Sequence, residues 1–298
     1  MTVNKSNEEF YLSDGRKLGY AIYGDPDGVP VLFFHGIPGS LLQLAPDIEF
    51  LKKSSVCLYS LDRPGIGLST AKPERSVLDW SDDVKIFCHG LNIQRFSIIG
   101  VSGGAPYALA CALRLHQYIQ HVYLISGLAP INYGSNLRQL DPRLQFIFKI
   151  APRHPRLLDG YLAIVYKFFK KTPVDAFNYF MSHLPDYDKH VLTSPDSVSL
   201  FRSDLSEAFR QGSEGIVSEI LTLLKPWGFD LTEIDLPIHV WHGTADSIVP
   251  FNLFNYTVSK LPNAIPHIVD NGGHFIALEY ASQILGALTS ESADSPQR

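Results

Sequence analysis

The residues best arranged for chemistry are Gly100-Val101-Ser102-Gly103-Gly104. An apolar run, Phe96 to Ile99, breaks at a glycine, presents a serine, and passes two more glycines into the helix-like Ala105 to Ala110. A strand–turn–helix bend of this kind holds a serine in a strained conformation with its hydroxyl lifted into a cleft. Glycine flanks it because a Cβ would clash with the neighbouring backbone. Taken alone the pattern is weak: a chain of this length meets Gly-x-Ser-x-Gly by chance on the order of 0.1 times. The competing reading is a glycine-rich turn with a hydrogen-bonded serine. A dinucleotide site is disfavoured, because it needs an acid at the end of the following strand, and that segment reads Ile125-Ser126-Gly127. No Gly-Lys-Ser or Gly-Lys-Thr phosphate loop occurs.

A serine hydroxyl attacks only when a base takes its proton and an acid orients that base. Two later loops carry such groups. Pro237 to Trp241 runs into His242-Gly243-Thr244-Ala245-Asp246, and Ile265 to Val269 runs into Asp270-Asn271-Gly272-Gly273-His274. The order nucleophile, acid, histidine is one of the known chain orders for this chemistry. Asp270 stands too near His274 in a tight turn to orient its ring. His35 reads as a structural histidine fixing its own loop, and Asp62 and Arg63 as turn and loop-packing residues. His239, His242 and His267 lie in or beside strands and receive no chemistry.

These groups are placed by a repeating strand–loop–helix rhythm. Glu9 to Leu12 and Lys17 to Tyr23 flank the turn Ser13-Asp14-Gly15-Arg16 and predict an opening hairpin. Val31 to Phe34 and Val56 to Leu61 are continuous apolar runs, as for strands buried on both faces. A helix is predicted from about Ser40 through Leu51, another from about Val77 to Leu91, and a strand over Val122 to Ser126. The rhythm stops near Ala129 and resumes only after Glu233. Between them lie helical patterns rich in aromatics, including Phe146, Phe148, Tyr161, Phe168, Phe169, Phe177, Tyr179 and Phe180. The expected class is therefore α/β, a mostly parallel sheet with helices on both faces. Residues 1–128 and 234–298 form its core, and 129–233 a helical lid over the carboxyl ends of the strands, where such sheets bind ligands. Most of the aromatics are expected to pack the lid itself and a minority to line an apolar pocket.

Composition narrows the partners. The chain has 298 residues, 45% hydrophobic and 18% charged, with a formal net charge of −5 and a pI near 6.1. Scattered Lys and Arg on a mildly acidic chain give no footprint for nucleic acid. The polar start, Met1 to Glu9, is not a signal peptide, and no apolar stretch approaches the roughly 20 residues of a membrane span. Cys57, Cys88 and Cys111 lack metal-ligand spacing and read as reduced packing residues, which predicts a cytoplasmic protein with no metal or other cofactor. Oligomeric state leaves no trace in the sequence.

Five loops now stand in one order: His35-Gly-x-Pro-Gly39, Asp62-Arg-Pro-Gly-x-Gly-x-Ser69, the serine bend at 100–104, His242-Gly-x-x-Asp246 and Gly272-Gly-His274. In this the chain resembles the α/β-hydrolase superfamily, in its serine-nucleophile, esterase- and lipase-like branch. The resemblance covers essentially the whole core. It implies an α/β-hydrolase fold with Ser102 as nucleophile, Asp246 as acid and His274 as base. It also implies an oxyanion hole made by the backbone N–H groups of Ile37 and Gly103. Serine at the bend argues against epoxide opening and dehalogenation, for which the family carries aspartate there. The expected activity is hydrolysis of an ester or related acyl bond in a small apolar substrate. Alternatives are a ligand receptor or regulatory partner, lyase, acyl-transfer or cofactor-free oxygen chemistry, and an aminopeptidase. The last is disfavoured at this level, since no acidic cluster in 129–233 is assignable to holding an amine.

Overall fold

The computed structural model describes residues 5–43, 51, 55–131, 136–193 and 197–293. It is built on one eight-stranded, mostly parallel sheet. The strands are β1 (Lys5–Tyr11), β2 (Lys17–Gly24), β3 (Val29–Phe34), β4 (Val56–Leu61), β5 (Phe96–Val101), β6 (Ile119–Ile125), β7 (Ile238–Gly243) and β8 (Ala264–Val269). They lie in the order β1-β2-β4-β3-β5-β6-β7-β8. β2 pairs antiparallel with β1 and β4, and every pair from β4 to β8 is parallel. The predicted hairpin forms at Gly15, whose φ of 85° favours glycine; the Leu12 N–H donates to the Arg16 carbonyl at 2.8 Å.

Continuous apolar strands are the consequence of burial on both faces. Alternate side chains of β3 enter two cores: Leu32 and Phe34 pack on one face, Val31 and Phe33 on the other. The first face is covered by α1 (Asp79–Gly90) and α2 (Ala105–Arg114). Ala105, Ala108 and Ala112 of α2 are buried, small enough to let that helix lie close to β5. After Ile125 the described residues form seven helices: α3 (Asn136–Gln139), α4 (Pro142–Ile150), α5 (Pro155–Lys171), α6 (Pro173–Ser182), α7 (Asp186–Val191), α8 (Ser197–Ala208) and α9 (Glu214–Leu224). No strand occurs among the described residues of this stretch, and β6 and β7, which bracket it, are neighbours in the sheet. α10 (Phe251–Lys260) and α11 (Ile276–Ala293) complete the chain, α11 covering the second face through Ile276, Ile284, Leu285 and Leu288. The helix predicted between Ser40 and Leu51 lies largely outside the described residues. Among the described residues no helix is long and apolar enough to cross a membrane.

Candidate active site

Because β3 to β8 are parallel, their carboxyl ends share one edge, and all five sequence-selected loops leave from it. At the end of β5, Ser102 has a φ of 51°, a left-handed conformation that costs a non-glycine residue about 1–3 kcal/mol. The neighbouring glycines make the bend possible. A Cβ on Gly104 would sit 2.1 Å from the Phe34 carbonyl oxygen, and one on Gly100 2.8 Å from the Ala108 side chain.

The loops after β7 and β8 bring the acid and the imidazole together. His274 Nδ1 lies 2.8 Å from Asp246 Oδ2. The other oxygen, Oδ1, accepts from the Ile248 and Val249 N–H groups at 2.9 Å each. That carboxylate is therefore buried, fixed and aimed. Burial by itself lowers the His274 pKa, but the charge and hydrogen bond of Asp246 outweigh it and raise the ring above its usual 6.5. Among the described residues no hydrogen bond joins the Ser102 hydroxyl to the imidazole; unliganded catalytic bonds are often long and tighten with substrate. The two loops are instead tied through the end of β6. The Leu128 N–H donates to the Ser102 carbonyl at 3.0 Å, and the Ser126 hydroxyl donates to the His274 carbonyl at 2.8 Å. Asp270 is exposed and approaches Thr244, not His274.

The loop after β3 abuts the serine bend. A Cβ on Gly103 would lie 3.4 Å from the Ile37 nitrogen, and one on Gly36 3.2 Å from Ser102 Cβ. Among the described residues neither the Ile37 nor the Gly103 N–H donates to a protein acceptor. The buried Arg63 guanidinium fixes this loop. It donates to the His35 carbonyl at 2.6 Å and to the Gly36 carbonyl at 2.9 Å, lies 2.8 Å from His35 Nδ1, and pairs with buried Glu219 of α9. Burial and the Arg63 charge hold the His35 pKa well below 6.5, which keeps the ring neutral and makes it a poor second base. His242 is likewise neutral: burial lowers its pKa, and its Nε2 lies 2.7 Å from the Val249 carbonyl.

Three contributors escaped the sequence reading. Asp188 of α7, fully buried, accepts from the His274 N–H at 3.0 Å and the Phe275 N–H at 2.9 Å. Asp204 of α8 accepts from the Ser40 N–H and hydroxyl at 2.7 Å each. The Gln43 carboxamide accepts from the Gly36 N–H beside Ser102. The helices between β6 and β7 thus carry buried acids near the site. No local pattern marks them, because Asp188, Asp204 and Glu219 meet their partners across 86 or more residues of chain. Each is engaged by a loop of the sheet edge, and Glu207 pairs with Arg210 at 2.8 Å. Aromatic side chains reach the same place: Phe275 packs edge-on to His274 at 5.4 Å, Phe180 meets Phe275 at 6.0 Å, and Phe201 stacks on Phe180 at 5.2 Å. A separate surface cavity of about 440 Å³, lined by His89, Gln94, Leu115 and Tyr118 among others, lies at the opposite edge of the sheet and holds none of the predicted site residues.

Among known proteins, a family model described as alpha/beta hydrolase fold matches residues 29–281. A curated relative described as a putative proline iminopeptidase, from Mycoplasma genitalium, is 30% identical over 125 residues, 40% of this chain and 40% of that protein. The chain superposes on a bromoperoxidase from Bacillus anthracis with a TM-score of 0.71 at 20% identity, covering 97% of this chain and 100% of the other. An esterase from Exiguobacterium antarcticum gives a TM-score of 0.67 at 16% identity, with coverage of 97% and 100%. At these identities the structural likeness is one of fold.

Proposed function

The chain belongs to the alpha/beta hydrolase fold family, and from that premise we propose that it is a serine hydrolase acting on an ester, or related acyl bond, of a small apolar substrate. The observation that carries this reading is the buried His274–Asp246 hydrogen bond on the same sheet edge as the strained Ser102. In the proposed mechanism His274 Nε2 removes the Ser102 proton while Asp246 holds the Nδ1–H tautomer. The serine oxygen bonds to the acyl carbon, and the Ile37 and Gly103 amides stabilise the oxyanion. The acyl–oxygen bond then breaks as His274 returns the proton to the leaving alcohol. Water, deprotonated by the same imidazole, releases the acid and restores Ser102. Losing one oxyanion donor costs about 10²–10³ in kcat in a comparable enzyme, so the geometry of the loop at Ile37 matters more than the identity of its side chain.

Residues 129–233 act as the lid in this reading. The ring cluster of Phe180, Phe201 and Phe275 beside His274 favours an apolar acyl or alcohol group. Aminopeptidase action is less well supported, because the buried acids near the site are already bonded to the loops they hold. The buried free thiols of Cys57, Cys88 and Cys111 fit a reducing compartment such as the cytoplasm.

A fluorophosphonate probe together with a panel of esters differing in acyl length tests the proposal. Labelling that is lost in Ser102→Ala, with turnover of an apolar ester, is the expected result. Labelling without turnover of any ester would point to a receptor or another acyl chemistry. Full turnover by Ser102→Ala would overturn the mechanism.

A further inference from the structure

The aromatics between β6 and β7 do not all find a core. Phe148, Phe169 and Phe177 are buried, but Phe146, Tyr161, Phe168 and Tyr179 face solvent. The exposed set is concentrated on α5, where Leu157, Tyr161, Ile164, Val165 and Phe168 are between 42% and 69% exposed. Their spacing places them on one face: at 3.6 residues per turn they span an arc of about 100°. Leu158 and Phe169, which adjoin this arc on its Val165 flank, are buried. The helix therefore has two apolar surfaces, one packed on the protein and one unpartnered among the described residues.

Charge identifies what would cover the second surface. α5 carries Arg156, Lys167, Lys170 and Lys171, all exposed, and one acid, Asp159. The Asp159 carboxylate is turned inward, accepting from the Ser213 hydroxyl at 2.6 Å. On a helical projection Lys171 and Lys167 follow directly on one flank of the apolar arc, with Arg156 and Lys170 behind them. This cationic edge belongs to a chain of net charge −5. An apolar stripe bordered by lysines and arginines suits the interface of a lipid bilayer, where the stripe enters the acyl boundary and the long cationic stems reach back to anionic headgroups. A second copy of the chain suits it poorly, because a two-fold contact through this face would set the same cations against each other.

We propose that the outer face of α5 docks the protein on an anionic lipid surface, without crossing it. The surface lies on the helical segment beside the candidate active site, so docking would bring the cleft toward apolar compounds dissolved in the bilayer. Binding does not depend on Ser102, so it can fail or succeed separately from the hydrolase reading.

Co-sedimentation of the full chain with phosphatidylcholine vesicles, with and without phosphatidylglycerol, reads it directly. Binding to the phosphatidylglycerol vesicles that weakens with added salt, and little binding to phosphatidylcholine alone, is expected. Ile164→Asp with Phe168→Asp should abolish binding, and Lys167→Gln with Lys171→Gln should weaken it by about thirtyfold. Ser102→Ala should bind like the unaltered chain. Circular dichroism and fluorophosphonate labelling, which the surface variants should leave unchanged, guard against misfolding. Absence of binding to anionic vesicles, or binding indifferent to both pairs of substitutions, overturns the proposal. So does light scattering that shows a dimer split by Ile164→Asp with Phe168→Asp, which would give the face to a second copy.

Discussion

At the residue scale the site is defined by what Asp246 does to His274. The carboxylate holds one ring nitrogen and raises the pKa of the imidazole above 6.5. In the proposed mechanism the base must be neutral to accept the serine proton, so protonation of the ring would remove activity. The acidic limb of kcat/KM is therefore expected above pH 6.5, not at the unperturbed value. Asp246→Asn keeps the shape but removes the charge and reverses the hydrogen-bond polarity. It should move that limb downward and lower kcat by about 10⁴-fold, as tautomer loss does in a comparable triad. A pH profile of ester turnover in the two proteins checks both effects. Arg63, which holds the loop after β3, supplies a corresponding stability test. Glu219→Gln strips its buried partner and should cost about 3–5 kcal/mol of stability, because the guanidinium is left desolvated and uncompensated.

At the scale of elements, the function of the site rests on loops held by helices remote in sequence. α7 holds the loop after β8 through Asp188, and the close fit is visible at Gly273, where a Cβ would meet the Asp188 carboxylate at 2.1 Å. Asp188→Asn replaces one accepting oxygen by a donor that faces a backbone N–H. The misplaced imidazole should lower kcat by roughly 10–100-fold with a smaller change in KM. Gly273→Ala should destabilise the protein, and should do so less when combined with Asp188→Ala, which removes the obstructing carboxylate; a double-mutant cycle of thermal unfolding reads this coupling. Gly104→Ala has no such relief, since its obstacle is the Phe34 backbone, and should cost about 2–4 kcal/mol.

At the scale of the whole molecule, the helices after β6 and the sheet edge meet across buried carboxyls. Burial pushes the Asp62 and Asp204 carboxyls up to about 7 from their usual 3.8. Folding therefore favours their protonated forms. Their contribution to stability is full below pH ~4, the unfolded value, and is lost as pH rises through about 7. Asp204→Asn keeps an oxygen for the two Ser40 donors while removing the titration. The unfolding midpoint of the unaltered chain should fall relative to that of Asp204→Asn between pH ~4 and ~7, which a pH series of thermal melts would register. A constant difference across that range would contradict the assignment.

The sequence by itself determined the architecture and the placement of the candidate site residues at the strand ends. Apolar runs such as Val31 to Phe34 specify strands buried on both faces, and the glycines around Ser102 specify a bend no other residue tolerates, so both are local signals. Parallel order then forces the loops bearing Ser102, Asp246 and His274 to one edge, and the order of those loops is itself a pattern in the chain. What only the tertiary structure decided are partnerships between residues far apart in sequence. Asp188 with His274, Asp204 with Ser40 and Glu219 with Arg63 leave no periodicity behind, because a single buried carboxylate needs only one partner, at any separation. The same limit applies to the aromatics of the helical segment. Composition shows that they are abundant, but the helix axis and its neighbours decide that Phe169 turns inward, that Phe180 and Phe201 stack beside Phe275 near the imidazole, and that Ile164 and Phe168 are left facing water.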